Sequence, residues 1–147
     1  MTKTGIEIKG MKELQQKLKS LIKSIKEPKK FFGFASLVMF QDTMRHFQNE
    51  EEPKGKWKPL KERTLIRRRG GEGKILQDTG QLRNSIDVEF TNTKAEVGTN
   101  DIRANTHQKG RKIGKGKIPA RPFIWYSKNA EDRILDNFML HLKRGTT

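Results

Sequence analysis

Two segments rich in glycine and basic residues have the composition of a phosphate-binding loop. They are Gly70-Gly71-Glu72-Gly73-Lys74 and Gly110-Arg111-Lys112-Ile113-Gly114-Lys115-Gly116. A nucleotide-binding P-loop needs a glycine five positions before its Gly-Lys pair and a Ser or Thr directly after it. Arg68 and Ile75 occupy those positions around Lys74, and Lys109 and Gly116 occupy them around Lys115. Both segments fail both requirements, so we interpret them as flexible basic loops.

The other residue types that carry chemistry are widely scattered. The three histidines, His46, His107 and His141, have no paired-ligand spacing, and cysteine is absent. Zinc sites use three or four clustered ligands, and no Gly-x-Ser-x-Gly turn marks a nucleophile. The sequence therefore predicts no catalytic residues, no metal, no cofactor and no small-molecule substrate.

The net charge of +15 is concentrated in two blocks. Residues 53–74 and 103–121 each carry a net charge of +7, while residues 75–100 between them sum to −2. Both blocks are rich in Gly and Pro, which is typical of loops. Loops of this charge contact a polyanion or an acidic protein, or stay solvated. The candidate contact residues are Lys54, Lys56, Lys58, Arg67, Arg68, Arg69, Arg111, Lys112, Lys115 and Lys117.

Length and composition predict one domain with a lean core. A chain of 147 residues suits a single domain. Leu, Ile, Val and Phe make up 23% of it, just above the roughly 20% below which charged chains tend to be disordered. No apolar run approaches a membrane span, and the N-terminus lacks the apolar stretch of a signal peptide. We therefore expect a protein made in a cytoplasm, without a membrane partner.

Periodicity predicts helices at both ends of the chain. Apolar residues at three- and four-residue steps indicate an amphipathic helix over residues 11–26. A second helix, over 29–48, has Pro28 in its first turn and apolar positions broad enough for burial on more than one side. A short basic helix is expected near 60–68 and a final amphipathic helix at 128–144.

The central part of the chain has the pattern of strands. Residues 85–91 and 95–99 alternate apolar and polar around a polar turn, which predicts a β-hairpin with Ile86, Val88 and Phe90 on a buried face. Residues 109–118 are expected to be a loop, and the bulky run 123–126 a third strand. The fold class is therefore α+β, with a small antiparallel sheet packed by N-terminal and C-terminal helices and with long basic loops. The expected organisation is a single domain over 1–147, with a helical part at 1–50, a basic loop at 53–74, a sheet part at 75–127 that includes the basic loop 103–121, and the C-terminal helix.

Two prolines fix the backbone around one arginine in Pro119-Ala120-Arg121-Pro122-Phe123. Residues before proline favour extended geometry, so this segment is either a stiff entry into a strand or a docking segment that presents Arg121 and Phe123. The residues alone leave both interpretations open. Because the core is lean, we take Trp57, Arg121, Phe123 and Trp125 as candidate residues of a subunit or partner interface.

Several short motifs follow one another in a fixed order. Trp57-Lys58-Pro59-Leu60 comes first and is followed by Leu76-Gln77-Asp78-Thr79-Gly80-Gln81-Leu82 and Val97-Gly98-Thr99. His107-Gln108-Lys109-Gly110 and Ile118-Pro119-Ala120-Arg121-Pro122-Phe123 close the series. In this order the motifs resemble the phage virion morphogenesis (tail completion) family over roughly residues 45–127. The family-motif positions are Gly80, Leu82, Gly98, His107, Gly110, Pro119 and Pro122.

The resemblance implies a structural protein that completes the tail and permits head–tail joining. It implies a ring of identical subunits, of which six is our expectation, at the head-proximal end of the tail. Its partners would be itself and other tail or head-connector proteins, with DNA in the channel as a further contact. It would be assembled in the host bacterial cytoplasm and then reside in the virion, at the tail or neck. Arg103-Ala104 departs from the family's Tyr-Ala pair, so the aromatic contact expected there is missing or supplied elsewhere.

The residues leave one alternative of a different class. A nucleic-acid-binding protein could use the basic loops 53–74 and 103–121 to contact phosphates. Such binding would weaken steeply with added salt, whereas a ring-forming assembly protein would not need to bind DNA at all.

Overall fold

The computed structural model describes Lys12, Gln16 and residues 25–68 and 73–145. Its helices are α1 (Pro28–Asn49), α2 (Glu62–Arg67), α3 (Gln81–Asn84), α4 (Ala104–Lys109) and α5 (Lys128–Gly145). Its strands are β1 (Glu51–Glu52), β2 (Gly55–Lys56), β3 (Ile86–Phe90), β4 (Ala95–Thr99), β5 (Arg111–Ile113) and β6 (Gly116–Ile118). The α+β class is confirmed. Within the described ranges the strands form three separate two-stranded pairs rather than one sheet.

The chain divides into two compact units. The helical unit takes its described residues from 12, 16, 25–42, 88–97 and 126–145, and the hairpin unit takes them from 43–68, 73–87 and 98–125. Helix α1 and the hairpin β3–β4 contribute residues to both. The predicted first helix, 11–26, lies outside the described residues apart from Lys12 and Gln16, which are helical, and Ile25 and Lys26.

The helical unit has an aromatic and aliphatic core between α1 and α5. The ring centroids of Phe31 and Phe138 lie 5.3 Å apart, and Val38, Ala130 and Ile134 pack in the same cluster. The predicted helices at 29–48 and 128–144 are both confirmed. Apart from Leu37, which is 52% exposed, the apolar side chains of α1 are buried or half-buried.

Helix α5 starts at a capped residue that α1 holds in place. The Asp42 carboxylate accepts hydrogen bonds from the backbone N–H of Ser127, at 2.8 Å, and from its hydroxyl, at 2.7 Å. The Ser127 hydroxyl oxygen in turn accepts the N–H of Ala130 at 3.1 Å. Ser127 is thus the N-cap residue of α5, and Asp42, buried at 5% exposure, fixes its orientation.

The predicted hairpin is confirmed as β3–β4, with Thr91 N donating to Lys94 O at 2.8 Å in its turn. The uniformly buried face expected for it is wrong. Ile86 is buried and Val88 half-buried, whereas Phe90 is 42% exposed. The phenyl ring of Phe90 instead lies beside Gly33 of α1. A Cβ atom at position 33 would lie 3.2 Å from that ring.

Two other expectations from the sequence are wrong. Residues 109–118 are not a loop, because β5 and β6 pair antiparallel there with Lys112 opposite Lys117. A two-residue turn joins them, and Gly114 at its first position supplies the required positive φ of 53°. Residues 123–126 form no strand. Their backbone groups bond to side chains instead, as described below.

We predict that Asp42→Asn lowers the free energy of unfolding by about 2–3 kcal/mol, because it weakens two buried charge-assisted hydrogen bonds at the start of α5. Urea denaturation monitored by circular dichroism measures the change. Asp136→Asn, the same chemical change on the exposed face of α5, should stay within about 0.5 kcal/mol of the wild type. Equal losses in the two variants would contradict the role given to Asp42.

Candidate functional site

The segment Arg121–Ile124 lies outside any helix or sheet, with Arg121, Phe123 and Ile124 buried and Pro122 half-buried. Most of its backbone groups nevertheless have partners, and Gln108 of α4 bonds to three of them. The Gln108 Oε1 atom accepts the N–H groups of Phe123, at 3.0 Å, and Ile124, at 3.1 Å. Its Nε2 atom donates to Ile124 O at 2.8 Å. A single primary amide therefore satisfies backbone groups that a neighbouring strand would otherwise pair.

Two aromatic side chains bond to the carbonyl groups of Pro122 and Phe123. Trp57 Nε1 donates to Pro122 O at 2.8 Å, and His46 Nδ1 lies 3.0 Å from Phe123 O. The His46 ring stacks on Trp125 with a centroid distance of 3.9 Å and an interplanar angle of 5°. The ring centroid of Phe47 lies 5.7 Å from that of Trp57 and 5.3 Å from that of Phe123. The core of the hairpin unit is therefore organised around this segment.

These positions bear on the four residues predicted to form an interface. Trp57 is 3% exposed, Phe123 0% and Arg121 6%. Their side chains belong to the protein's own core, so the expectation that they are surface anchors needs correction. The aromatic rings pack inside the hairpin unit: Phe47 contacts Trp57 and Phe123, and His46 stacks on Trp125. Trp125 is half-buried, with an indole N–H that has no hydrogen-bond partner in the described part of the chain.

Arg121 is a buried cation whose partners are neutral. Its Nε atom donates to Lys58 O at 2.8 Å and its Nη2 atom to Pro59 O at 3.2 Å. Its backbone N–H donates to His107 O at 2.7 Å. Burial lowers the pKa of Arg121, and the nearby charge of Arg68 lowers it further. The side chain thus ties the Trp-Lys-Pro-Leu motif to the Pro-Ala-Arg-Pro motif through carbonyls alone.

Gly110 allows the backbone of the hairpin to pass close to this segment. Its φ is +75°, and a Cβ atom there would lie 2.8 Å from Ala120 N and 2.9 Å from Ile118 O. Only glycine combines that φ with so close a backbone approach. Gly114, at the tip of the same hairpin, also has a positive φ but open space around it.

A cleft of about 650 Å³ opens beside the anchored segment. Its walls come from 58–68, 76–82 and 117–121, and Arg103 and His107 also line it. Among the family-motif positions, Gly80, Leu82, His107 and Pro119 line this cleft. Pro122 and Gly110 support its wall as described above, and Gly98 is buried in β4. Four of the five motifs, which are separate in sequence, therefore converge on one site in the hairpin unit.

The cleft is electrostatically positive. Among the described residues, one acidic side chain lines it, that of Asp78, against seven basic ones, Lys58, Lys61, Arg67, Arg68, Arg103, Lys117 and Arg121. Arg103 is partly compensated, because its guanidinium lies 2.6 Å from Asp101 and holds the pKa of that carboxyl below its ordinary value. Burial, followed by the charges of Arg121 and Arg103, lowers the pKa of His107. The imidazole is therefore disposed to be neutral unless an anion is brought near it.

Most of the predicted polyanion contacts lie on exposed surface. Lys54, Lys56, Lys58 and Arg67 are exposed, as are Arg111, Lys112, Lys115 and Lys117. Arg68 is half-buried and its Nη1 atom donates to Lys74 O, while Arg69 lies outside the described residues. The structure brings Lys58, Arg67, Arg68 and Lys117 together in the cleft and leaves the others outside it. Whether they contact a polyanion stays a prediction.

Several residues of the site escaped sequence reasoning. Gln108 was within a motif but received no role, although a glutamine can replace a strand's donor and acceptor. Leu76 lines the cleft with a φ of 61°, which is unusual for a branched side chain. Lys61 and Arg103 gave no signal beyond their charge.

Two classes of site find no support among the residues described. No group of three or more His, Asp or Glu there could hold a metal ion. No helix in the same ranges is long and apolar enough to cross a membrane.

The fold and the cleft define a small α+β protein with a positively charged cleft. The chain belongs to the phage virion morphogenesis family, whose model matches residues 10–143. It is 33% identical over 135 residues to the Mu-like prophage FluMu G protein 2 of Haemophilus influenzae, a match that covers 90% of this chain and 91% of that protein. No solved structure matches it. The family resemblance is thereby confirmed, and with it a structural role in phage virion morphogenesis.

We predict that Gln108→Ala lowers the free energy of unfolding by about 2–4 kcal/mol, because the N–H groups of Phe123 and Ile124 would lose their acceptor in a buried place. Thermal and urea unfolding measure this loss. Gln48→Ala, on an exposed position of α1, is the matched control and should change stability by less than about 0.5 kcal/mol. A Gln108→Ala protein as stable as the control would show that the amide does not hold the segment.

We predict a large difference between two alanine substitutions in one hairpin. Gly110→Ala should lower the free energy of unfolding by more than about 3 kcal/mol, since it combines left-handed strain with a backbone clash. Gly114→Ala should cost only about 1–2 kcal/mol, the conformational term alone. Chemical denaturation of the two proteins checks the difference, and equal costs would contradict the close approach at Gly110.

Proposed function

We propose that this protein completes the phage tail and permits head–tail joining, as a ring of identical subunits at the head-proximal end of the tail. The observation that carries the proposal is the convergence of the family's motifs on one structural site of this chain. Four of the five motifs contribute residues to the anchored segment Arg121–Ile124 or to the cleft beside it, and the fifth, Val97-Gly98-Thr99, lies in β4. Because the motif residues themselves build this site, it is the part of the molecule best suited to a structural role common to the family.

An exposed apolar stripe on α5 supports self-association. Leu135 is 42% exposed, Met139 51% and Leu140 51%, and the first two lie one helical turn apart. Apolar side chains that are exposed together commonly mark an interface. When one such surface meets a different surface on the next subunit, repetition by rotation closes a ring. We propose six subunits, assembled in the host cytoplasm before incorporation into the virion.

A second candidate is nucleic-acid binding through the basic surface outside the cleft. The hairpin β5–β6 is favourable for it, because Arg111, Lys112 and Lys115 are all exposed there and do not line the cleft. Such contacts would make affinity fall steeply with salt. In the ring proposal these residues contact acidic neighbours or the DNA in the channel, so the two candidates share the surface and differ in what carries the function.

We predict that the purified protein is a closed oligomer by light scattering, and that Leu135→Lys/Met139→Lys dissociates it while leaving its helical circular dichroism unchanged. Lysine at these two positions would place charges in the apolar contact between subunits, which should weaken association at least about tenfold. Gln48→Lys/Asn129→Lys adds the same charge at exposed polar positions and should remain oligomeric.

Deletion of the gene from its phage tests the biological part of the proposal. The expected particles are tails and filled heads that fail to join. Normal virions in the deletion strain would overturn the proposal, and a salt-dependent DNA complex formed by a monomer would favour the second candidate instead.

A further inference from the structure

We propose that the 650 Å³ cleft of the hairpin unit is a docking site for an extended acidic peptide segment that carries aliphatic side chains. The inference rests on the proposed function only for the origin of that segment, which would be a neighbouring virion protein. Peptide binding itself is a property of the single subunit and does not depend on ring formation.

The first observation is an excess of positive charge without internal compensation. Across the described ranges, Lys58, Lys61, Arg67 and Lys117 line the cleft without an ion pair. Like charges held around one concave surface repel each other, and the low dielectric of the walls strengthens that repulsion. An anionic ligand would remove it, so the cleft favours a negatively charged occupant.

Arg121 adds a stronger constraint, because it is buried. Charged side chains at 6% exposure are normally paired with an opposite charge, yet among the described residues the acceptors of this guanidinium are the carbonyls of Lys58 and Pro59. His107 lines the same cleft with a buried Nδ1 atom that has no hydrogen-bond partner among the described residues. A carboxylate in the cleft would supply the missing countercharge to Arg121 and an oxygen within the same polar neighbourhood as His107.

The apolar part of the lining determines the rest of the ligand. Leu60, Leu76, Leu82 and Ile118 contribute aliphatic side chains, and Pro59 and Pro119 contribute rigid apolar rings. A purely ionic ligand would leave this surface in water, whereas an aliphatic side chain would bury it at about 25 cal/mol per Å². The combination of cationic rim and aliphatic lining fits a segment in which Asp or Glu alternates with Leu, Ile or Val.

Nucleic acid fits the same cleft poorly. Single strands are bound by stacking their bases on aromatic side chains, and in the described part of the chain no Phe, Tyr or Trp lines the cleft. Duplex DNA presents its phosphates on a convex surface that a cavity of this size does not admit. The basic residues of the cleft are therefore better matched by the carboxylates of a narrow peptide chain than by the phosphates of DNA. The competition experiment below distinguishes the two.

Helix α2 shows where binding would change the structure. It contributes Thr64 and Arg67 to the cleft, and none of its residues is buried. A six-residue helix with no buried residue gains little stability from its own subunit. A ligand lying against it would supply the contacts that it lacks, so its amides should become protected on binding.

Isothermal titration with synthetic capped hexapeptides tests the proposal. The probe alternates Glu with Leu, one comparison peptide replaces Leu by Gln, and another replaces Glu by Gln. At about 50 mM salt we expect binding in the micromolar range for the probe and at least about tenfold weaker binding for both comparison peptides. Equal affinity of the Glu–Leu and Glu–Gln peptides would overturn the proposal, because it would reveal only nonspecific charge attraction.

Two charge-matched variants locate the site. Lys61→Glu/Arg67→Glu/Lys117→Glu reverses three cations of the cleft, and Lys54→Glu/Lys112→Glu/Lys115→Glu reverses three exposed cations outside it. We expect the first variant to bind the probe at least about tenfold more weakly and the second to lose no more than about threefold. All six positions are exposed, and unfolding curves confirm that both proteins fold. Equal weakening in the two variants would overturn the assignment to the cleft.

Hydrogen exchange and a DNA competitor complete the test. Protection of amides in 62–67 on probe binding is the expected result, and protection confined to β5–β6 would contradict it. An oligothymidylate that displaces the probe more effectively than the acidic peptide itself would make the cleft a nucleic-acid site and overturn the proposal. If light scattering finds a monomer that still binds the probe, the ring proposal fails and the peptide-binding proposal stands. If it finds a ring that does not bind the probe, the ring proposal stands and the peptide-binding proposal fails.

Discussion

The hairpin unit depends on one requirement, which is that the buried backbone of Arg121–Ile124 must find hydrogen bonds without a neighbouring strand. Buried N–H and C=O groups left unpaired cost free energy comparable to the hydrogen bonds lost. Gln108, Trp57 and His46 meet this requirement from three different parts of the chain. Because each of them must reach the same short segment, their own elements are placed by it. The position of α4, the aromatic cluster around Phe47 and the route of the Trp-Lys-Pro-Leu motif all follow.

Sequence reasoning succeeded where a structural element has its own periodicity and failed where one element depends on another. Helices α1 and α5 and the strands of β3–β4 carry long or alternating patterns, and the sequence predicts them within a few residues. The run 123–126 has the bulky residues of a strand, but Pro119 and Pro122 remove backbone donors just before it, and Gln108 takes the place of a partner strand. Periodicity describes one segment at a time, so it cannot report that a distant glutamine will bond to this one. The hairpin β5–β6 escaped for another reason, since its strands are exposed and basic and have no apolar alternation to detect.

The aromatic residues illustrate a related error. A lean composition suggested that Trp57 and Phe123 were surplus to the core and available to a partner. The division into two units changes that account, because the helical unit uses Phe31, Phe32 and Phe138 and the hairpin unit needs Trp57, Phe47 and Phe123 of its own. Two small cores bury less area per residue than one large core and require more large side chains to be stable. Three of the exposed large apolar side chains, Leu135, Met139 and Leu140, lie instead on α5, and no count of aromatic residues could have identified them.

Arg121 connects the stability of the site to its chemistry. The guanidinium reaches Lys58 O and Pro59 O through separate N–H groups of its rigid fork, so it has a structural use. That use leaves a buried cation without an opposite charge among the described residues, in a cleft already lined by Lys61, Arg67 and Lys117. Removing the charge would break the link between two motifs, whereas compensating it internally would fill the cleft with an acidic side chain. The proposed acidic ligand would satisfy both conditions, since the chain would keep its fold when alone and gain stability when the ligand is bound. In the proposed function, such a site would make assembly favourable only with a partner of the right chemistry.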